Sequence, residues 1–319
     1  MRKDNRSLIA KAAVDTSLLG TGGQMNPDQQ NQFMTFMKDY SPFLRRAGII
    51  NMTATQRYLD SLEVNKRAMR AQVENDDNPA TGTVTHKRRK LVAQGVIMPY
   101  NVTFQYMKEN IEGGNINTTL ARLFAQQFAN DSIDLAINGD EELADGFLGI
   151  NDGWVKIAKD DEDTHKVNTE GSTDYLNTVF PKVIAAMPDK YIHLYQQEDK
   201  NAITIFCSHT VNLDYKLQLK ARNTALGDSM ITGGRNVDFF GYEIFPVGFL
   251  PDNVIFAAPF ENLKYGIHGP SLHTYHQVVP RQTRHEYTLL ADFDMEIGNP
   301  DAFVIADHFD DDDDDGGGA

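Results

Sequence analysis

Between Asn117 and Ile137 the chain carries its longest uninterrupted helical pattern. Leu120, Leu123, Phe124, Phe128 and Leu135 recur at intervals of three, four and seven, with Asn117 or Thr118 as cap. About 21 residues make a rod of roughly 30 Å. Gln126, Gln127, Asn130 and Asp131 occupy its other side, so one face is expected to be buried and one wet. The rod runs straight into Asn138-Gly139-Asp140 and, after a short acidic loop, into Phe147-Leu148-Gly149-Ile150-Asn151-Asp152-Gly153-Trp154. A fold containing this chain must accommodate a long half-buried helix that stops abruptly.

Upstream, residues 1–25 mix charged, small and glycine residues and read as an extended or mobile arm. Asn26-Pro27 then opens a helix, with proline in the first turn, where its missing N–H costs nothing. Phe33, Phe36, Met37 and Tyr40 give that helix one apolar face before Ser41-Pro42 ends it. From Ile49 to Val102 two strand-like runs flank a turn-rich tip, Asn75 to Gly82, which reads as a long hairpin. Its arms are too polar to bury a core of their own, and a lone two-stranded hairpin is marginal in water. The hairpin is therefore expected to lie on something else.

Charge suggests what that is. Between Arg57 and Lys90 there are eight Lys or Arg (Arg57, Lys66, Arg67, Arg70, Lys87, Arg88, Arg89, Lys90) against five acidic residues, and from Asp131 to Asp174 thirteen acidic residues against three Lys. A basic projection and an acidic region on one polypeptide favour heterologous self-association, projection onto neighbour. A solvated surface ribbon or a nucleic-acid finger would carry the same basic residues. The net charge of −15 argues against a main task of coating nucleic acid, since phosphate neutralisation supplies most non-specific affinity.

Downstream the pattern is mixed. A short helix spans Thr103 to about Ile111, and helix signals continue from Ser172 to Met187, where Pro181 predicts a kink or break. Ala202 to Cys207 reads as a buried strand, Thr210 to Ala221 as a helix, and Asn236 onward as successive strands, with period-two segments such as Thr288 to Ile297. The fold class is α+β. No apolar run approaches the roughly 20 residues that span a bilayer.

Candidate chemistry is thin. His273-x-x-His276, with His268 and His285, is the best metal candidate, but strand residues three apart face opposite ways, so no metal site is expected. Cys207-Ser208-His209 places the single thiol beside an imidazole at the end of an apolar run, where buried cysteine is common. Gly113-Gly114 and Gly233-Gly234 read as turns, and the acidic runs Asp160 to Asp163 and Asp310 to Asp315 lack spaced calcium ligands. No catalytic residue and no cofactor is assigned. The six carboxylates and following glycines of the tail are expected to be disordered.

The passage from helix through Asn-Gly-Asp to Leu-Gly-Ile resembles that of tailed-bacteriophage major capsid proteins of the Hong Kong 97 type. The order of later motifs adds to the resemblance: Gly241-Tyr242-Glu243-Ile244-Phe245-Pro246-Val247, Leu250-Pro251-Asp252-Asn253, and Phe260-Glu261-Asn262-Leu263-Lys264-Tyr265-Gly266. It covers residues 24–309. It implies an N-terminal arm and helix (1–50), an extended β-hairpin loop (51–101), a peripheral domain with the long spine helix (102–154 and 260–298), an axial α+β domain (155–259 and 299–309) and an acidic tail (310–319).

The function implied is that of a non-enzymatic shell subunit, assembling into pentamers and hexamers of an icosahedral shell. Such a shell encloses double-stranded DNA without sequence-specific binding, in the virion and, during assembly, in the host cytoplasm, with no membrane. Scaffolding, portal and decoration proteins are further partners the resemblance admits. No long N-terminal coiled coil is present, so no internal scaffold is expected. Some relatives form a Lys–Asn crosslink; Lys66, Lys87 and Lys90 lie on the loop, but no motif marks a partner and none is expected. Intersubunit contacts are expected at Arg67, Arg70, Arg88, Arg89 and Lys90, and at Phe33, Phe36 and Met37. Alternatives are an encapsulin-type nanocompartment shell and a hydrolase using Cys207.

Overall fold

A computed structural model describes residues 23–24, 27–64, 69, 71, 74, 84–109, 116–144, 146–194, 202–221 and 238–307. Most of the expected N-terminal arm, Arg67, Arg70, the hairpin tip, both expected glycine-pair turns and the acidic tail lie outside them. Strand β1 is Gly23–Gln24, followed by helices α1 (Pro27–Tyr40) and α2 (Pro42–Arg46) and strands β2 (Gly48–Met52), β3 (Gln56–Val64), β4 (Val84–Val92) and β5 (Gln94–Thr103). Then come α3 (Phe104–Glu109), the spine helix α4 (Ile116–Asn138), α5 (Trp154–Asp160) and β6 (His165–Asn168). A π-turn (Tyr175–Val179) leads into α6 (Phe180–Ala185), α7 (Asp189–Leu194), β7 (Ile203–Cys207) and α8 (His209–Ala221). Strands β8 (Glu243–Pro246), β9 (Val254–Pro259), β10 (Leu263–Val279), β11 (Arg284–Ile297) and β12 (Val304–Asp307) complete the described chain.

Three sheets result. The first runs β1-β10-β11-β5, with β2 parallel to the first part of β10 and β1 antiparallel to its later part. A register shift in β10 between His268 and His273 separates the two pairings. There the Ser271 hydroxyl donates to the His268 carbonyl and accepts from the Asp292 N–H, so the interrupted ladder keeps its hydrogen bonds. The second sheet runs β6-β12-β9-β7-β8. Its strands β7, β9 and β12 are buried along their whole length, which is why the sequence there is continuously apolar. By contrast β11 alternates, with Phe293, Met295 and Ile297 inward and Asp292, Asp294 and Glu296 on the opposite face. The third sheet is the two-stranded ribbon β3–β4.

One apolar core lies where α1, α2, the spine helix, the inner face of the first sheet and one face of the second meet. Phe43 is its hub, within 6.1 Å of the rings of Trp154, Phe206, Phe245 and Phe260. Arg46 fastens α2 from outside: its guanidinium lies 3.9 Å from the Phe260 ring centroid and forks onto Glu243 at 2.7 and 2.6 Å. A second core packs the other face of the second sheet against the π-turn, α6 and α8.

Two corrections to the sequence reading concern helices. Leu123 shares the spacing of Leu120 and Phe128 but is 50% exposed, because the first third of the spine meets only the Tyr100–Tyr287 end of the first sheet. Pro181 does not break its helix: the π-turn ends one residue earlier, and Pro181 occupies the first turn of α6, where no backbone N–H is required.

The abrupt stop of the spine has a physical cause. Gly139 donates to the Leu135 carbonyl, and the Gly153 N–H donates to the Gly139 carbonyl at 2.8 Å, so helix end and returning loop touch backbone to backbone. A Cβ on Gly139 would lie 2.2 Å from the Asn151 carbonyl oxygen, and one on Gly153 2.7 Å from that of Ile137. Asn138 and Asn151 tie the junction down by donating to the carbonyls of Phe249 and Phe293, each at 2.8 Å. Beyond it, buried Trp154 opens α5 with its indole N–H between the Lys264 and Glu296 carbonyls.

Candidate assembly surfaces

Period two in β3 and β4 sorts the hairpin into two faces. Residues 85, 87 and 89 are half-buried and Leu91 is fully buried, whereas Val84, His86, Arg88 and Lys90 are exposed. The register places Tyr58 opposite Lys90, Asp60 opposite Arg88 and Leu62 opposite His86. The outer face therefore carries three large apolar side chains, Tyr58 (55% exposed), Leu62 (73%) and Val84 (66%), interleaved with cations. Arg88 is held within the ribbon: its guanidinium donates to Asp60 at 2.7 Å and stands over the Tyr58 ring. That hydrogen bond is the main reason the Asp60 carboxyl sits below its ordinary range.

The inner face is bound to the chain's own body. Lys87 pairs with Asp163 at 2.8 Å, and Arg89 pairs with Asp161 and, at 3.5 Å, with Glu296. Asp161 and Asp163 belong to the acidic run that follows α5. The basic-to-acidic complementarity expected between subunits is thus satisfied in part inside one chain, which removes Arg89 from the expected intersubunit contacts. Lys90 is exposed and makes no ion pair among the described residues. Arg67 and Arg70 are outside the described residues.

Helix α1 needs a similar correction. Phe33 and Met37 are buried in the main core, Phe33 edge-on to Phe128 of the spine at 5.5 Å, and Phe36 is partly buried against the same core. Their apolar surface is used within the chain, so Phe33 and Met37 are not free to contact a neighbour.

A second surface lies beside β5. This strand pairs with β11 on one side and carries no strand on its other edge among the described residues. Next to it Val96, Met98, Phe128, Phe147, Ile150 and Phe293 line a cavity of about 390 Å³, and Ile97 is 65% exposed. An edge of ten residues with apolar neighbours is a template for another chain's backbone. The sequence reading missed this edge and the apolar outer face of the hairpin. The alternation Tyr58, Leu62, Val64 could have revealed the latter; the edge depends on sheet order, which no local pattern encodes.

The remaining reactive groups do not form a catalytic arrangement. Cys207 is buried in β7, and burial pushes its thiol up to about 12, where the nucleophilic thiolate is scarce. His276 and His285 approach to 2.9 Å across β10 and β11 with stacked rings, and burial, then the neighbouring imidazole, hold His276 below its ordinary range. Among the described residues no group of three or more His, Cys, Asp or Glu converges on a metal-sized site.

No protein-family model matches the chain. In sequence it is similar to YqbE of Bacillus subtilis (strain 168), named as a prophage capsid protein, with 27% identity over 242 residues, 74% of this chain and 73% of that one. In structure it is similar to a chain of the satellite phage P4 procapsid, with a TM-score of 0.66 and 14% identity, covering 96% of this chain and 98% of that one. It is also similar to a chain of the capsid of the native GTA particle, with a TM-score of 0.59 and 14% identity over 97% and 99% of the two chains. The fold is that of phage capsid proteins.

Proposed function

We propose that this chain, which has the fold of phage capsid proteins, is the major shell subunit of a tailed phage or prophage, and that its work is mechanical. The observation that carries this reading is the hairpin: a ribbon with no core beneath its outer face, exposing Tyr58, Leu62 and Val84 among cations. Such a surface is stable in water only marginally and gains by burial against another copy. In the same reading, the first sheet with the spine (102–154 and 260–298) forms a peripheral domain. The second sheet (155–259 and 299–309) forms an axial domain around the axes of pentamers and hexamers. The unpaired edge of β5 supplies a second contact. Individual contacts of this kind are weak, and a closed shell repeats them many times.

Negative-stain electron microscopy of the purified chain, across protein and salt concentrations, tests the proposal. Capsomers, tubes or closed shells are the expected result. A protein that stays strictly monomeric at high concentration while its hairpin is ordered would overturn it.

A further inference from the structure

Where β4 passes into β5, the hairpin base lies over the outer face of β11, and that face carries the carboxylates Asp292, Asp294 and Glu296 at alternate positions. Asp294 accepts the Val92 N–H at 2.6 Å, so it grips the last residue of the hairpin strand. Glu296 lies 3.5 Å from Arg89, whose other partner is Asp161. Both carboxylates are largely withdrawn from water. We propose that Asp294 and Glu296, with Arg89 and Asp161, form a proton-operated latch that sets how firmly the hairpin base is held on the body.

Counting charges gives the direction. Glu296 meets Arg89, Asp294 and Asp161, and stands opposite Lys264 of β10 in the register; its own oxygen accepts the Ile297 N–H. Asp294 meets Glu141 and Asp152 from the loop after the spine, the Asn151 amide at 3.5 Å and the Met295 N–H. Asp292 lies beside Gly95 and 3.6 Å from His268. With Glu296 and Asp294 protonated, the guanidinium of Arg89 faces one ionised partner, Asp161, and the cluster is close to balanced. With both ionised, three carboxylates share that one guanidinium in a place water reaches poorly, and the base is pushed apart.

Burial, the largest cause for each, pushes Asp294 up to about 6 and Glu296 up to about 7. In the lifted hairpin both would titrate near their ordinary values of 3.8 and 4.5. The latched form therefore binds more protons than the lifted one. Its advantage is full below the ordinary values and is lost as pH rises through about 6 and 7. The latch follows from this chain alone; any part it takes in assembly rests on the shell-subunit reading.

Amide hydrogen exchange of the full-length, unassembled chain tests the latch. For the peptide covering 84–95, protection relative to the intrinsic exchange rate should fall at least roughly tenfold between pH 5.5 and pH 8, the effect of one pKa unit. A Glu296→Gln, Asp294→Asn double variant, locked in the uncharged form, should keep the acid-side protection throughout. If the double variant does not fold, Glu296→Gln alone should abolish the upper part of the profile. A flat wild-type profile, or variants that retain the wild-type profile, would overturn the proposal. A chain that shows the profile yet never assembles would refute the shell reading and leave the latch standing.

Discussion

A methyl group on Gly139 would meet the Asn151 carbonyl oxygen at 2.2 Å and the Leu135 carbonyl oxygen at 2.5 Å, both backbone atoms that cannot rotate away. Gly139→Ala should therefore part the end of the spine from the loop that returns to Trp154, and destabilise the chain by on the order of 1–3 kcal/mol. A lowered denaturant midpoint at unchanged slope would register it; an unchanged midpoint would mean that the junction relaxes freely. The Asn-Gly-Asp landmark was legible in the sequence, but its reason was not, because the clashing atoms belong to residues brought together only by the fold. The opposite sign is expected at Phe240, which holds a left-handed φ of 47° at the tip of the Phe239–Tyr242 turn and is 83% exposed. An exposed aromatic gains little there to offset the backbone strain. Phe240→Gly should raise the thermal midpoint slightly, by an amount worth about 0.5–1 kcal/mol, and a fall would show that the ring makes contacts the isolated chain lacks.

At the scale of elements, the spine divides into a part that holds the core and a part that does not. Phe128 is 3% exposed and touches Phe33 and Phe293, whereas Leu123 is half exposed. Phe128→Ala should cost about 3–5 kcal/mol, as large-to-small changes in a packed core do. Leu123→Ser should stay within about 0.5 kcal/mol. Equal losses in paired urea titrations would mean that the spine's first third is covered by something other than the Tyr100–Phe124 stack, whose rings lie 3.9 Å apart. Helix spacing identified the rod and most of its buried face correctly. It failed at Leu123 because periodicity says which side faces inward, not how far the partner sheet extends. Pro181 failed for a related reason: a proline signals a helix boundary, but a π-turn placed just before it moved that boundary so that the helix begins there instead of ending.

For the whole molecule, the opposition of a basic hairpin and an acidic region was visible in the sequence, but the sequence could not say whether one chain or two would satisfy it. Alternation in β4 decides: odd positions pair with the chain's own Asp161 and Asp163, and even positions face outward. Reversing all of Arg88, Arg89 and Lys90 would therefore confound two effects, since Arg89 secures the hairpin base. The separable experiment compares Arg89→Glu with the pair Lys90→Glu, Leu62→Ser. Arg89→Glu places a fourth carboxylate beside Asp161, Glu296 and Asp294, and should loosen the hairpin in the unassembled chain, lowering protection of 84–95 before any assembly is measured. Lys90→Glu with Leu62→Ser alters only the outer face, where neither side chain is buried. The monomer's stability should stay within about 0.5 kcal/mol, while the concentration needed to form capsomers or shells rises several-fold. That shift should shrink at high salt, because the Lys90 contribution is exposed and screened, and the part that remains measures the lost Leu62 burial. Assembly identical to wild type at every salt concentration would remove the outer face from the contacts and leave the β5 edge as the surface to be tested.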